Sequence, residues 1–137
     1  MVSSKSLAGK VAVISGSSSG IGAAIARELS ARGAHVTVNY PFEYLRDLAE
    51  SVAASLETPG ITVEADISTL GGPAKLVQAA IDQWGRVDIL VNNAALAVNL
   101  PFEEQTLEHW DSLVNLNSRG LYLHFTTAVH VANHEPI

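Results

Sequence analysis

A glycine-rich turn between two different hydrophobic patterns is the strongest constraint on the fold of this chain. Before the turn, Val11–Ile14 is a continuous apolar run, and after it residues 23–29 have the apolar spacing of a helix. The turn, residues 15–22, reads Ser-Gly-Ser-Ser-Ser-Gly-Ile-Gly. A strand that passes through glycines into a helix presents backbone N–H groups and a positive helix-dipole end to an anion. The pattern predicts a phosphate site, and a purely architectural turn is the alternative.

The residues of this turn are the first candidate binding residues. They are Gly16, Ser17, Ser18, Ser19, Gly20, Ile21 and Gly22. A side chain at Gly16 or Gly20 would keep a pyrophosphate from the backbone, and one at Gly22 would keep the helix from the strand. The spacing is G-x-x-x-G-x-G, a variant of the commoner G-x-G-x-x-G dinucleotide pattern.

Composition restricts the class of protein. At 137 residues we expect one domain, residues 1–137. The net charge of −6, with only eight Lys and Arg, argues against a nucleic-acid partner or an anionic membrane surface. The first seven residues hold no apolar segment, and no apolar stretch is long enough to span a bilayer. Because cysteine is absent, we expect no disulfide and no thiolate metal site, which fits a cytoplasmic chain. We expect no other metal site either.

Strands alternate with helices along the chain. The predicted strands are residues 11–14, 35–39, 61–65 and 87–91. Three helices are predicted between the strands: one that follows the glycine turn and ends at Gly33, one over residues 42–56 and one over residues 72–84. After the last strand an irregular stretch ends at Gln105, and a long helix then reaches about Asn133. Apolar strands that alternate with helices belong to a parallel sheet covered on both faces. Right-handed crossovers then predict an α/β, Rossmann-like doubly wound sheet, truncated to about four strands in the order 3-2-1-4, with a long C-terminal helix.

Further motifs make the chain resemble the N-terminal half of the short-chain dehydrogenase/reductase family. They are the glycine turn, Asp66-Ile67, residues 88–94 with the sequence Asp-Ile-Leu-Val-Asn-Asn-Ala, and Trp110 followed by Asn117. The resemblance implies that the turn holds a pyrophosphate and that Asp66, with Ile67 beside it, accepts a hydrogen bond from the adenine amino group. It also implies that Asn93 and Ala94 border the adenosine ribose. For Asp66 the alternative is a helix-capping acid.

The same resemblance gives one candidate catalytic residue. Asn117 matches the helix asparagine that holds a water in the family's proton relay, and its alternative is a solvated or locally bonded side chain. We expect Asn92 to brace the junction between sheet and helix through backbone hydrogen bonds. His109, His124 and His130 are candidates for another catalytic role, although a surface or packed histidine is the preferred interpretation, and for His109 a polar helix start.

The end of the second strand predicts which dinucleotide binds. NAD enzymes place an acid there against the ribose 2′-OH, whereas this chain has Asn39. A neutral residue removes repulsion against a 2′-phosphate, and Tyr40 and the loop serines can donate to it, so NADP(H) is favoured over NAD(H). Similar NADP enzymes usually carry Arg or Lys at the positions of Ser19 or Tyr40, and this chain does not.

Two departures from the family's pattern limit the expected function. Ala95 stands where the family normally has glycine. The chain also ends before the family's catalytic serine and its Tyr-x-x-x-Lys motif, and none of its three tyrosines is followed by Lys four residues later. General acid catalysis by that tyrosine is therefore missing from these residues.

Three functional hypotheses follow. The first is a nucleotide-binding half of an oxidoreductase that binds NADP(H), or retains no cofactor, and is redox-inactive by itself. The second is a non-redox enzyme that isomerises, dehydrates or cyclises a small-molecule substrate. The third is a homo-oligomer that associates through the long C-terminal helix, using Leu113, Leu121 and Phe125, since an open fourth strand is an aggregation liability.

Overall fold

Four parallel strands form one sheet in the order β3-β2-β1-β4 within residues 5–134, which the computed structural model describes. The strands are β1 (Val11–Ile14), β2 (His35–Tyr40), β3 (Gly60–Glu64) and β4 (Ile89–Val91). The order confirms the predicted 3-2-1-4 Rossmann-like topology. The expectations for residues 1–4 and 135–137 lie outside the described part of the chain.

Five α-helices connect or follow these strands in the described residues. They are α1 (Gly20–Ala31), α2 (Arg46–Ala54), α3 (Gly72–Trp84), α4 (Leu107–Val114) and α5 (Leu121–Ala132), with short 3₁₀ turns at Glu43–Leu45 and Phe102–Glu104. The predicted long C-terminal helix is present, but Asn115–Gly120 forms a π-helical segment between α4 and α5. The second helix is shorter than predicted at both ends. Glu43–Leu45 forms a 3₁₀ turn before it, and after its last residue the Ser55 hydroxyl donates to the Val52 carbonyl at 2.6 Å.

The strand β4 begins two residues later than predicted, at Ile89. Asp88 donates its backbone N–H to the Val11 carbonyl, but its carboxylate accepts the Val11 N–H at 2.9 Å, where a strand would offer a backbone carbonyl. Hydrogen bonds from Arg86 are the main cause that lowers the pKa of this carboxyl. A side-chain contact therefore replaces the strand ladder at Asp88. The other strand ends match the predicted ones or differ from them by one residue.

The central strand β1 is buried on both faces, as a parallel sheet covered by helices requires. On one face Ala12 and Ile14 pack in a cluster with residues of α1, α2 and β2. On the other face Val11 and Val13 pack with residues of β3 and α3. Because the strands are parallel, their carboxyl ends meet at one edge of the sheet, which is where the candidate site residues follow.

Candidate nucleotide-binding site

A cleft of about 660 Å³ lies at the carboxyl edge of the sheet. Its lining residues come from the loops at that edge and from α4 with the π-helical segment after it: Gly16, Ser18, Ser19, Ile21, Asn39, Pro41, Phe42, Leu45, Ala65, Asp66, Ile67, Ser68, Asn93, Ala94, Ala95, Leu96, Ser112, Asn115 and Leu116. Open α/β sheets bind ligands outside the carboxyl ends of the strands, where the strand order reverses, and here that point lies between β1 and β4. The structure thus brings most of the predicted cofactor residues together.

The glycine turn is closed tightly on itself. Gly16 adopts a positive φ of +64°, a conformation that favours glycine. A Cβ on Gly22 would lie 2.5 Å from the Gly16 carbonyl oxygen and 2.6 Å from Nδ2 of Asn93. We expected a side chain at Gly22 to separate helix from strand, but the structure shows that it would first push apart the two loops that form the cleft.

The free backbone donors of the turn lie in the first turn of α1. Ser17 and Ser18 both donate their amides to the Asn39 carbonyl, at 3.1 and 3.2 Å. Ser19 occupies the N-cap position, but its side chain makes no capping hydrogen bond. The amides of residues 20–22 take part in no hydrogen bond among the described residues. An anion bound here would therefore be held by the first turn of α1 and its dipole.

The buried side chain of Asn39 forms hydrogen bonds with backbone groups of the chain. It is 1% exposed, its Oδ1 accepts the Gly16 amide at 2.8 Å, and its Nδ2 donates to the carbonyls of Val63 and Ala65 at 3.1 and 3.0 Å. Its amide therefore positions the turn and β3, whereas the sequence prediction considered only its lack of charge beside a 2′-phosphate. Tyr40 is buried as well, and burial raises the pKa of its hydroxyl.

Three residues that follow β2 also line the cleft and were missing from the sequence prediction. Pro41, Phe42 and Leu45 line it, and the Phe42 ring stacks on Tyr44 with ring centroids 5.8 Å apart. Their position directly after a predicted strand, at the edge where parallel strands bind ligands, was the signal that could have found them.

Ser15 joins the glycine turn to the loop after β4, a role that the sequence prediction also missed. Its hydroxyl oxygen accepts the amides of Asn93 and Ala94 at 3.1 and 3.0 Å. In return, Nδ2 of Asn93 donates to the carbonyls of Ser15 and Gly16, both at 3.0 Å. The two loops therefore form one hydrogen-bonded unit, which places Ala94 against Gly16.

The side chain of Asp66 shapes the loop after β3 and does not cap α3, whose N-cap residue is Gly71. Its Oδ1 accepts the amide and the hydroxyl of Ser68 at 2.9 and 2.7 Å, as in a turn before a helix. Its Oδ2 takes part in no hydrogen bond among the described residues, although Asp66 and Ile67 both line the cleft. One carboxylate oxygen thus shapes the loop and the other remains available to a ligand.

Asn117 lies outside the lining of the cleft. Its Oδ1 accepts the Leu96 amide at 2.9 Å and its Nδ2 donates to the Leu96 carbonyl at 2.8 Å, which is the locally bonded alternative. The π-helical segment places Asn115 and Leu116 in the cleft wall, whereas the side chain of Asn117 holds the loop after β4. Such π segments occur frequently at functional sites.

The three candidate histidines occupy packed, helix-start and surface positions, as the preferred interpretation expected. His124 is fully buried, and its Nδ1 donates to Oδ1 of Asn92 at 2.8 Å. Asn92 therefore joins the end of β4 to α5, as expected for the junction between sheet and helix, but it does so through the His124 side chain instead of the expected backbone hydrogen bonds. Burial lowers the pKa of His124 to about 4, and its Nε2 has no partner among the described residues. His109 accepts the Thr106 amide in a capping box at the start of α4, as expected, and His130 is exposed on α5.

Two further findings concern metals and membranes. Within residues 5–134, no group of three or more His, Asp or Glu side chains is placed to hold a metal ion. Across that same stretch, every helix is too short or too polar to cross a bilayer.

The geometry agrees with comparisons to known proteins. A family model described as short chain dehydrogenase matches residues 10–133. The chain belongs to this family. Short-chain dehydrogenase/reductase FrzI from Cladobotryum is 42% identical over 117 residues, which cover 83% of this chain and 45% of that relative. The hydroxynaphthalene reductase of Aspergillus fumigatus is 37% identical over 83% of this chain and 42% of its own length.

Solved structures of the short-chain dehydrogenase family share the fold. A short chain dehydrogenase from Burkholderia cenocepacia in complex with NADP has a TM-score of 0.86 and 33% identity, over 91% of this chain and 51% of that one. The angucycline C-6 ketoreductase LanV with bound NADP has a TM-score of 0.84 and 33% identity, over 92% of this chain and 52% of that one. The chain therefore spans about half the length of the proteins that it matches.

Proposed function

We propose that this chain binds NADP(H) as the nucleotide-binding part of a short-chain dehydrogenase. The observation that carries the proposal is the uncapped first turn of α1, which opens into the cleft beside the joined Gly16 and Asn93 loops. Two solved relatives whose structures contain NADP support the choice of dinucleotide. When bound, NADP(H) supplies or accepts a hydride.

The residues of the cleft fit the parts of the dinucleotide in order. The amides of residues 20–22 are free to bind the pyrophosphate, and the missing Cβ of Gly22 keeps the cleft loops close enough to do so. Ala94 and Asn93 lie beside this turn and border the ribose. The free Oδ2 of Asp66 is placed to accept from the adenine amino group, with Ile67 as the apolar wall.

The proposal extends to binding without turnover. The 137 residues contain no Tyr-x-x-x-Lys motif, so they provide no tuned phenol to pass a proton to a carbonyl substrate. In the structure Asn117, the candidate relay residue, uses its side chain to hold Leu96. The redox reaction of the family thus needs groups beyond those of this chain.

A titration tests both parts of this proposal. The purified chain is titrated with NADPH and with NADH while the fluorescence of the reduced nicotinamide is followed, and the same samples are assayed with carbonyl substrates. We expect saturable binding with NADPH preferred, and no consumption of NADPH. Turnover would contradict redox inactivity. Absence of binding to either dinucleotide would overturn the cofactor assignment and favour the non-redox alternative.

That non-redox alternative stays a prediction. The single domain and the cytoplasmic location also stay predictions.

A second proposed property is self-association through an apolar face of α5. Tyr122, Phe125 and Val129 follow one another at helical spacing and are 64%, 55% and 40% exposed, and Leu121 beside them is 43% exposed. Leu113, also predicted for this contact, is half-buried on α4. A contiguous exposed apolar face of this kind marks an interaction site, and light scattering over a range of chain concentrations measures whether a second copy covers it.

A further inference from the structure

The orientation of the Asp66 carboxylate depends on Ser68. Both residues line the cleft, and Oδ1 of Asp66 accepts the amide and the hydroxyl of Ser68 at 2.9 and 2.7 Å. The two oxygens of a carboxylate keep a fixed geometry, so the contact that holds Oδ1 also decides where Oδ2 points. The position of Ser68 therefore determines which group of a bound purine Oδ2 can reach.

The backbone of Ser68 is held in turn by Arg119. Nη2 of Arg119 donates to the Ser68 carbonyl at 2.7 Å. Arg119 belongs to the π-helical segment Asn115–Gly120, so this hydrogen bond joins that segment to the loop after β3. A hydrogen bond from a charged donor is stronger than one between neutral groups. The two ends of Ser68 are thus fixed by Asp66 on one side and by Arg119 on the other.

The guanidinium of Arg119 has no competing acid among the described residues. It takes part in no ion pair there, whereas three other arginines bind carboxylates: Arg32, Arg46 and Arg86. Its contact with the Ser68 carbonyl is therefore not shared with a charged partner of this chain.

Gly120 brings the π-helical segment against the next carbonyl of the same loop. Gly120 is buried, and a Cβ on it would collide with the Ile67 carbonyl oxygen. Two consecutive residues of the segment, Arg119 and Gly120, thus contact two consecutive carbonyls of the loop. The close approach at Gly120 sets the distance between segment and loop, and the hydrogen bond of Arg119 sets the orientation of the Ser68 peptide.

We propose that Arg119 is a positioning residue for the purine of the bound nucleotide: it orients Ser68, and through Ser68 the Asp66 carboxylate, so that Oδ2 accepts an exocyclic amino group. This inference rests on the proposed binding of an adenine dinucleotide. An ionised carboxylate is an acceptor only, so it pairs with the 6-amino group of adenine and is repelled by the 6-oxo group of hypoxanthine. Arg119 is not among the residues that line the cleft, so it affects this choice without touching the ligand.

Two nucleotides that differ at position 6 of the purine test this role. Adenosine 5′-monophosphate and inosine 5′-monophosphate are titrated by calorimetry into the unmodified chain, Arg119→Gln and Arg119→Lys. We expect the unmodified chain to prefer the adenosine nucleotide by about tenfold and Arg119→Gln to lose roughly fivefold of that preference. Arg119→Lys should keep part of it, because an ammonium group can donate to the same carbonyl.

A double variant tests whether Arg119 acts through Asp66. Asp66→Asn removes the carboxylate whose orientation is at issue. If the effect of Arg119 passes through that carboxylate, adding Arg119→Gln to Asp66→Asn leaves the preference of Asp66→Asn unchanged. Effects of the two substitutions that simply add would overturn the proposed route.

Arg27→Gln is the matched control. Nε of Arg27 donates to the Ser55 hydroxyl at 2.9 Å, a contact of a guanidinium with an uncharged oxygen, and neither residue lines the cleft. This variant should keep the preference of the unmodified chain, and circular dichroism verifies that each variant is folded.

The outcomes separate the role of Arg119 from the proposed function. Binding without a preference in the unmodified chain, or an equal change in affinity for both nucleotides in Arg119→Gln, overturns the role of Arg119 and leaves nucleotide binding in place. If neither nucleotide binds the unmodified chain, the proposed function itself is contradicted and the role of Arg119 with it.

Discussion

Two regions of this chain differ in how completely their apolar side chains are buried and their polar side chains are hydrogen-bonded within the chain. In the phosphate-loop region, residues 11–40, all of β1 and nearly all of β2 are buried, and Ser15 and Asn39 bind their neighbours with every polar side-chain atom. In the C-terminal helical region, residues 89–132, all three residues of β4 are only half-buried and α5 exposes a row of large apolar side chains.

This difference shows which part of the structure is fixed by its own contacts and which part has surfaces that its own contacts leave exposed. The hydrogen bonds of the phosphate-loop region fix the cleft before any ligand arrives, so small changes there have large consequences. The C-terminal helical region has a formed backbone but an incomplete environment, because one edge of β4 has no neighbouring strand among residues 5–134. Substitutions on its surface should alter contacts between molecules more than the fold.

The largest effect is expected from Gly22→Ala in the phosphate-loop region. The added Cβ would lie 2.5 Å from the Gly16 carbonyl oxygen, so the loops must separate. We expect a loss of about 3 kcal/mol in the free energy of unfolding and no measurable NADPH binding, checked by urea unfolding and fluorescence titration. Gly71→Ala is the control, since a Cβ there meets no atom within 4 Å, and it should change stability by less than about 1 kcal/mol. Equal effects of the two substitutions would contradict the tight closure of the turn.

The next effect is a loss of stability in mild acid caused by His124. Its pKa is lowered by burial to about 4 in the folded chain, against an ordinary value of 6.5. The unfolded chain therefore binds the proton first as the pH falls. The stabilising contribution is complete above pH 6.5 and declines toward pH 4, by up to about 3 kcal/mol in total. Urea unfolding at a series of pH values measures the slope.

Two variants assign that slope to its residue. His124→Met carries no titrating group, so its free energy of unfolding should vary less between pH 6.5 and 4. Asp88→Asn tests a separate interval: the pKa of Asp88 is lowered, chiefly by its hydrogen bonds with Arg86, from an ordinary value of 3.8. The contribution of Asp88 is present above that value and is lost as the pH falls below it. An unaltered slope in His124→Met would show that His124 is not its source.

A smaller effect is expected for Ser15→Ala, which separates the glycine turn from the loop after β4. The substitution removes the acceptor of the Asn93 and Ala94 amides and should reduce the free energy of unfolding by about 2 kcal/mol. NADPH binding should weaken by roughly tenfold, since the loops that border the ribose are no longer held together. Ser55→Ala serves as the control. It removes a hydroxyl at the end of α2 that donates to the Val52 carbonyl and accepts from Nε of Arg27 on α1. Unchanged NADPH affinity in Ser15→Ala would show that the two loops act independently.

The fold could be predicted from the sequence because its signals are periodic and local. Apolar strands between glycine turns, as at Val11–Ile14, require a covered parallel sheet, and right-handed crossovers leave few strand orders. The cleft could be located for the same reason, since its loops follow the strands. The start of β4 was less predictable, because a carboxylate at Asp88 replaces a backbone acceptor.

The parts that sequence reasoning missed depend on contacts between distant residues. Asn39 was interpreted by its charge, whereas its role follows from the carbonyls of Val63 and Ala65, which only the folded sheet brings near. The π-helical segment adds a residue to one turn, which changes the spacing that an α-helix would have there, and its residues Asn115 and Leu116 line the cleft. Helical spacing likewise did not show whether His124 is packed or exposed, and the structure shows that it is buried.

The smallest effect on stability is expected from Phe125→Ser in the C-terminal helical region. Phe125 is 55% exposed on α5, so its removal should change the free energy of unfolding by no more than about 0.5 kcal/mol. The same substitution should lower the weight-average mass in light scattering at high chain concentration, because it places a polar group in the apolar face through which we propose that two copies associate. Leu70→Ser, at a loop residue 72% exposed and outside this face, should leave the mass unchanged. If the unmodified chain, Phe125→Ser and Leu70→Ser all have the same weight-average mass, the exposed face of α5 does not form a contact between copies.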